Sequence, residues 1–158
     1  ATVCLAIPLY KQIELLKKNL TAVVLGIVAG VFSSLGSVFG MAYLFGLSHK
    51  EYVTLLPKSI TTAIGIGVSE ELGGFTTITV AVIIVTGVLG NVIGEQICKM
   101  FRIQEPVAVG LALGTSAHAI GTTKALELGE VQGAMSSLSI AVAGLITVVG
   151  ASVFANFM

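Results

Sequence analysis

Ten positions near the end of the chain gather much of its polar chemistry. They hold Thr115, Ser116, His118, Thr122, Thr123 and Lys124, with Gly121 among them. Hydroxyl donors, an imidazole and an ammonium suit a small carboxylate that carries a hydroxyl or keto group. Lys124 would supply charge, the hydroxyls direction, and His118 a group that titrates near neutral pH. Both ionisable residues also have plainer readings. His118 can be a packing histidine bonded to a backbone carbonyl. Lys124 can stretch its stem so that the ammonium reaches the nearest aqueous surface.

A second polar set lies 56 residues earlier. Ser59–Gly74, SITTAIGIGVSEELGG, aligns with Thr115–Glu130, TSAHAIGTTKALELGE, with six identities in sixteen positions. Ala63-Ile64-Gly65 falls on Ala119-Ile120-Gly121, and Glu71-Leu72-Gly73 on Glu127-Leu128-Gly129. Each copy reads as an apolar approach, a hydroxyl cluster, a break at Gly65 or Gly121, and a Glu-Leu-Gly stop. In the first copy Ser59, Thr61 and Thr62 are the hydroxyl cluster, unless they only bond back to their own helix. Lys58 reads as a residue of the outer interface. Glu71 and Glu127 are candidates for coupling to Na+ or H+, although such carboxylates also mark the solvated end of a segment.

These clusters interrupt a chain with little else that is polar. Of 158 residues 55% are hydrophobic and 10% charged, with 8 Lys+Arg against 8 Asp+Glu. A soluble domain carries about 25% charged residues, so this composition excludes one, as it excludes a disordered chain. Zero net charge argues against nucleic acid as a partner, because binding it needs a basic excess. Residues 20–47, 75–94 and 131–158 contain no Asp, Glu, Lys or Arg. A helix needs about 20 apolar residues to cross the hydrocarbon core, and these runs qualify. They show no polar alternation, so barrel strands are excluded. The fold class is therefore all-α, integral to the lipid bilayer, and multi-pass.

Paired, glycine-interrupted hydrophobic segments mark binding sites in secondary transporters. A continuous helix satisfies its own backbone, whereas a broken one exposes N–H and C=O groups at membrane depth. Charge placement gives the topology. If 52–74 and roughly 106–129 are re-entrant, Lys11, Lys17, Lys18, Lys99 and Arg102 share the cytoplasmic side, against Lys50 and Lys58 outside. The positive-inside rule favours that arrangement. The two copies, 51–105 and 106–158, then become an inverted repeat beside a scaffold of 1–50, all within a single domain.

Other motifs carry less. No P-loop, His-Glu-x-x-His or Gly-x-Ser-x-Gly is present, and Gly65-x-Gly67 lacks the third glycine of a dinucleotide fingerprint. No enzymatic activity, cofactor or metal site is expected. Cys4 and Cys98 sit in apolar surroundings and read as small hydrophobes. Asn19-Leu20-Thr21 matches a glycosylation sequon by chance. The uncharged residues 1–10 read as the tail of a helix that begins earlier, so the chain reads as the C-terminal part of a longer protein.

Three stretches resemble one family. Gly110–Leu138, GLALGTSAHAIGTTKALELGEVQGAMSSL, looks like the signature of the LrgB/CidB membrane proteins of bacteria. Leu55–Gly74 resembles their other signature, and Ala1–Gln12 a segment from the middle of full members. Ala63 stands where the family usually has proline, and Gly67 where it often has glutamate. The resemblance implies a bacterial cytoplasmic membrane, a homo-oligomer and a small LrgA/CidA-type membrane partner. It also implies two functional pictures. One is a carrier for small monocarboxylates such as pyruvate, glycolate or glycerate. The other is an antiholin-like regulator of murein hydrolase activity and cell lysis. The paired broken segments favour the carrier, with alternating access between the two repeats.

Overall fold

The computed structural model describes residues 10–158, and every regular element among them is helical. The half-span read at 1–10 and Cys4 thus lie almost wholly outside the described residues. A short helix α1 (Ile13–Lys18) leads into α2 (Leu20–Phe45), followed by α3 (His49–Leu55) and α4 (Thr62–Glu71). Then come α5 (Thr76–Met100), α6 (Pro106–Leu128) and α7 (Glu130–Phe154), with a closing 3-10 turn at Ala155–Phe157. The helices α2, α5 and α7 with its closing turn are long and apolar enough to cross a membrane, as the charge-free runs predict.

Helix ends follow from local chemistry. Gly46 (φ 63°) closes α2, with Leu47 N–H donating to the Ala42 carbonyl at 3.0 Å, a Schellman arrangement. Ser48 and Glu51 form a capping box that starts α3. Pro57 stops α3, because proline offers no amide to the helix. The chain turns through residues 56–61 before α4 begins.

The contacts show that this turn reverses the chain. Entering along α2, α3 stacks Tyr52 on Phe39, and Lys58 Nζ then reaches Ser34 Oγ, nearer the middle of α2. Going back along α5, α4 sets Gly65 against Ile83 and Ser69 Oγ 2.7 Å from Thr79 Oγ1. Thr79 Oγ1 is also 2.9 Å from the carbonyl of Thr54, so the end of α4 has returned to the level of α3.

The helix α6 does the same from the other end. Its first half sets Leu111 against Gly26 and Thr115 against Gly30 of α2. On α5, Leu113 faces Gly94 and Ala117 faces Gly90, so the two run antiparallel. After His118 the order inverts: Asn91 holds the Ile120 carbonyl and Glu95 holds Lys124. His118 (φ 43°, ψ −137°) is the reversal point.

Neither break falls at the glycine expected. Gly65 and Gly121 both lie inside helical segments. Their smallness serves close approach instead. A methyl at Gly121 would sit 2.5 Å from Ala117 Cβ and 3.0 Å from the Leu113 carbonyl oxygen, across the reversal. The breaks are Pro57 with the turn after it, and His118. Under the alignment of the copies His118 immediately precedes the shared Ala-Ile-Gly, and the first turn ends at Thr61, two residues before it.

Three Gly-x-x-x-Gly pairs let neighbours close on α6: Gly26/Gly30 of α2, Gly90/Gly94 of α5, and its own Gly110/Gly114 against α7. Small residues at such crossings allow the backbone contact that drives helix association in lipid.

Candidate functional site

A cavity of about 910 Å³ lies between α2, α5 and the first half of α6. One end is lined by Asn19, Cys98, Ile103 and Glu105, at the start of α2 and the end of α5. The other end holds Ser34, Ser37, Lys58, Ser59, Thr115 and Ser116. Beyond Lys58 the buried Tyr52, Val53, Leu56 and Ile60 fill the space. The two reversals, built by separate parts of the chain, thus bring their tips together at the inner end of one cavity.

Lys58 is the cation of that end. Its Nζ donates to Ser59 Oγ at 2.9 Å and to Ser34 Oγ at 3.2 Å, while Ser34 Oγ donates to Ser59 Oγ at 3.0 Å. The ion pairs of the described residues all belong to another cluster, so Lys58 faces no carboxylate there. An ammonium has three N–H donors. Two go to these hydroxyls, and the third remains for a ligand. Ser59 accepts twice, so its own proton also remains. The interface position read for Lys58 is therefore corrected. Pro57 turns the chain at the depth of Ser34, which carries Lys58 inward.

The remaining predicted residues divide. Ser59, Thr115 and Ser116 line the cavity. Thr115 Oγ1 and Ser116 Oγ donate to the carbonyls of Leu111 and Ala112 at 2.8 and 2.6 Å, so both face the cavity as acceptors. His118, Thr122, Thr123 and Lys124 do not line it. His118 is buried, with Nε2 2.9 Å from the Ile83 carbonyl oxygen, the packing role set out as its plainer reading. Thr122 Oγ1 donates to the His118 carbonyl at 3.0 Å and lies 2.7 Å from Ser136 Oγ, steadying the reversal. Thr123 Oγ1 lies 2.8 Å from Asn91 Nδ2.

Lys124 sits 3.0 Å from Glu95 and 3.4 Å from Glu127, and Glu95 also binds Lys99. That cluster ties the returning half of α6 to α5, and it uses Glu127 in a structural contact. Thr61 and Thr62 open α4, and Glu71 is exposed at its end. Ala63 lies in the first turn of α4, where a proline would fit equally well. Among the described residues no group of three His, Cys, Asp or Glu side chains is placed to hold a metal.

Sequence reasoning missed Lys58 as an inner residue and Ser34 altogether, because α2 read as scaffold. A signal was present. Gly26, Gly30, Ser33, Ser34 and Ser37 put small and hydroxyl residues at helical spacing in an otherwise apolar run.

Fold and cavity together define an all-helical membrane protein with two chain reversals meeting at a half-buried cation. The chain belongs to the LrgB-like family, matched over residues 1–157. It is similar to the antiholin-like protein LrgB of Bacillus cereus (strain B4264) and to that of Bacillus anthracis (strain A0248). Each is 40% identical over 158 residues, which are 100% of this chain and 69% of the relative. No solved structure gives a significant match.

Proposed function

We propose that the protein acts as an antiholin-like component of the bacterial cytoplasmic membrane, modulating murein hydrolase activity and lysis with a small LrgA/CidA-type partner. The observation that supports this reading is the name carried by its relatives at 40% identity over the whole chain. Sequence reasoning ranked it second, behind the carrier.

The carrier for small monocarboxylates stands as the second reading, favoured by one observation: Lys58 at the inner end of the cavity without a counter-carboxylate. In this reading the two reversals are inverted re-entrant hairpins. The cavity opens on the side of Lys99, Arg102 and the lysines of α1, which the positive-inside rule makes cytoplasmic. The opposite side is shut by the aromatic contacts of Phe39, Tyr52, Phe154 and Phe157. Exchange between that closure and its mirror would give alternating access.

Two assays separate the readings. A lysis regulator changes autolysis on deletion, while proteoliposomes holding the protein show no saturable uptake of glycolate or pyruvate. A carrier shows that uptake. Topology is checked by single cysteines at Lys50 and Arg102, with Cys4 and Cys98 replaced. They should label from opposite sides of the membrane, and labelling from one side would reject the hairpins.

A further inference from the structure

We infer that Lys58, with the hydroxyls of Ser34 and Ser59, forms a binding site for one small monovalent carboxylate at the inner end of the cavity. The inference deepens the carrier reading and rests on it for its biological sense, although binding can be measured without transport.

Three independent features converge on this site. The first is charge. An ionisable group at membrane depth is unfavourable by roughly 2.5–3.5 kcal/mol unless it serves a function or is paired. Among the described residues Lys124 and Lys99 are paired with carboxylates, and Lys58 is not. An anion entering the cavity would neutralise it.

The second is direction. Two hydroxyls 2.9 and 3.2 Å from Nζ hold the ammonium in place. Its third N–H and the Ser59 O–H remain as adjacent donors, which matches the two oxygens of one carboxylate.

The third is the balance of the lining. Lys58 is its one cation, and Glu105 stands at the opposite end. One ammonium balances one negative charge. A dicarboxylate would keep a second charge in an apolar cavity with no partner, so the site should select monoanions over dianions.

A purely structural Lys58, tying the hairpin tip to α2, is the rival explanation. It predicts a loss of stability in variants but no dependence on anions. The full natural chain, purified in detergent, is therefore melted with increasing glycolate. Parallel arms use malonate as a dianion, glycolamide as a neutral analogue, and chloride.

Ligand that binds only the folded state raises the melting temperature in step with its occupancy. Glycolate should raise it, glycolamide and malonate should not, and chloride should act more weakly. Losing a charged hydrogen-bond partner weakens binding by roughly tenfold or more. Lys58→Met should show that loss, Lys58→Arg should recover part of it, and Lys99→Gln should stay within about twofold, as expected for an exposed charge.

Glycolate binding unchanged in Lys58→Met overturns the site. Equal effects of glycolamide or malonate overturn the charge argument, and chloride as effective as glycolate overturns the assignment to a carboxylate. Uptake in proteoliposomes keeps the two proposals apart. Binding that depends on Lys58 without uptake supports the site and removes the carrier, whereas full uptake by Lys58→Met removes the site and leaves the carrier.

Discussion

Valine at Gly114 should strongly weaken the packing of α6 on α7. A methyl built at Gly114 would lie 2.6 Å from the Ser136 carbonyl oxygen and 2.8 Å from Ser136 Cα. Those are backbone atoms of α7, so no side-chain rotation can relieve the overlap. Ser139 Cβ, at 2.7 Å, blocks the other side. Overpacking of a filled interior typically destabilises by about 1–3 kcal/mol, and contact with backbone places this site at or above the top of that range. Gly36 is the control, because nothing lies within 4 Å of a methyl built there. Thermal unfolding in detergent should show a large drop in midpoint for Gly114→Val and almost none for Gly36→Val. Equal midpoints would mean that α6 and α7 do not touch as described. Because α7 also holds Ser136 against Thr122, the same substitution should loosen the returning half of α6.

At His118 the usual ranking of alanine and glycine should invert. Within a helix glycine is less favourable than alanine by about 1 kcal/mol. His118, however, has φ 43° and ψ −137°, a conformation that residues with a Cβ adopt at a penalty of about 1–3 kcal/mol. Both replacements lose the imidazole contact with the Ile83 carbonyl equally, and only glycine relieves the backbone. His118→Gly should therefore melt above His118→Ala. The opposite order would show residue 118 to be ordinary helix, and α6 would then have no reversal. The experiment also bears on function, since a straight α6 would carry residues 119–128 onward past the inner end of the cavity and lose the contacts of Ile120 and Lys124 with α5.

The two functional readings draw on different kinds of observation. The relatives' name speaks to a cellular role, whereas the cavity with its unpaired lysine speaks to an act of binding. The separation of uptake from autolysis decides between them.

Composition and charge spacing alone determined that this chain is helical and belongs in a bilayer. Lipid offers backbone groups no partners, so a long run without charge has few alternatives to helix. The internal similarity of residues 59–74 and 115–130 located both reversals to within a few residues, and the family followed from the same stretches. The tertiary structure alone decided where each reversal falls and which polar groups meet. Glycine in a sequence signals either a break or a close approach, and only the neighbours of Gly65 and Gly121 show the second. Whether a lysine ends at an interface or at the inner end of a cavity depends on how deep its hairpin reaches. That depth is set by contacts with α2, a helix more than a dozen residues away in the chain. Lys58 and Lys124 exchanged their expected places for this reason. Only Lys124, six residues past its reversal, was carried back to a carboxylate, whereas Lys58 stayed at the tip.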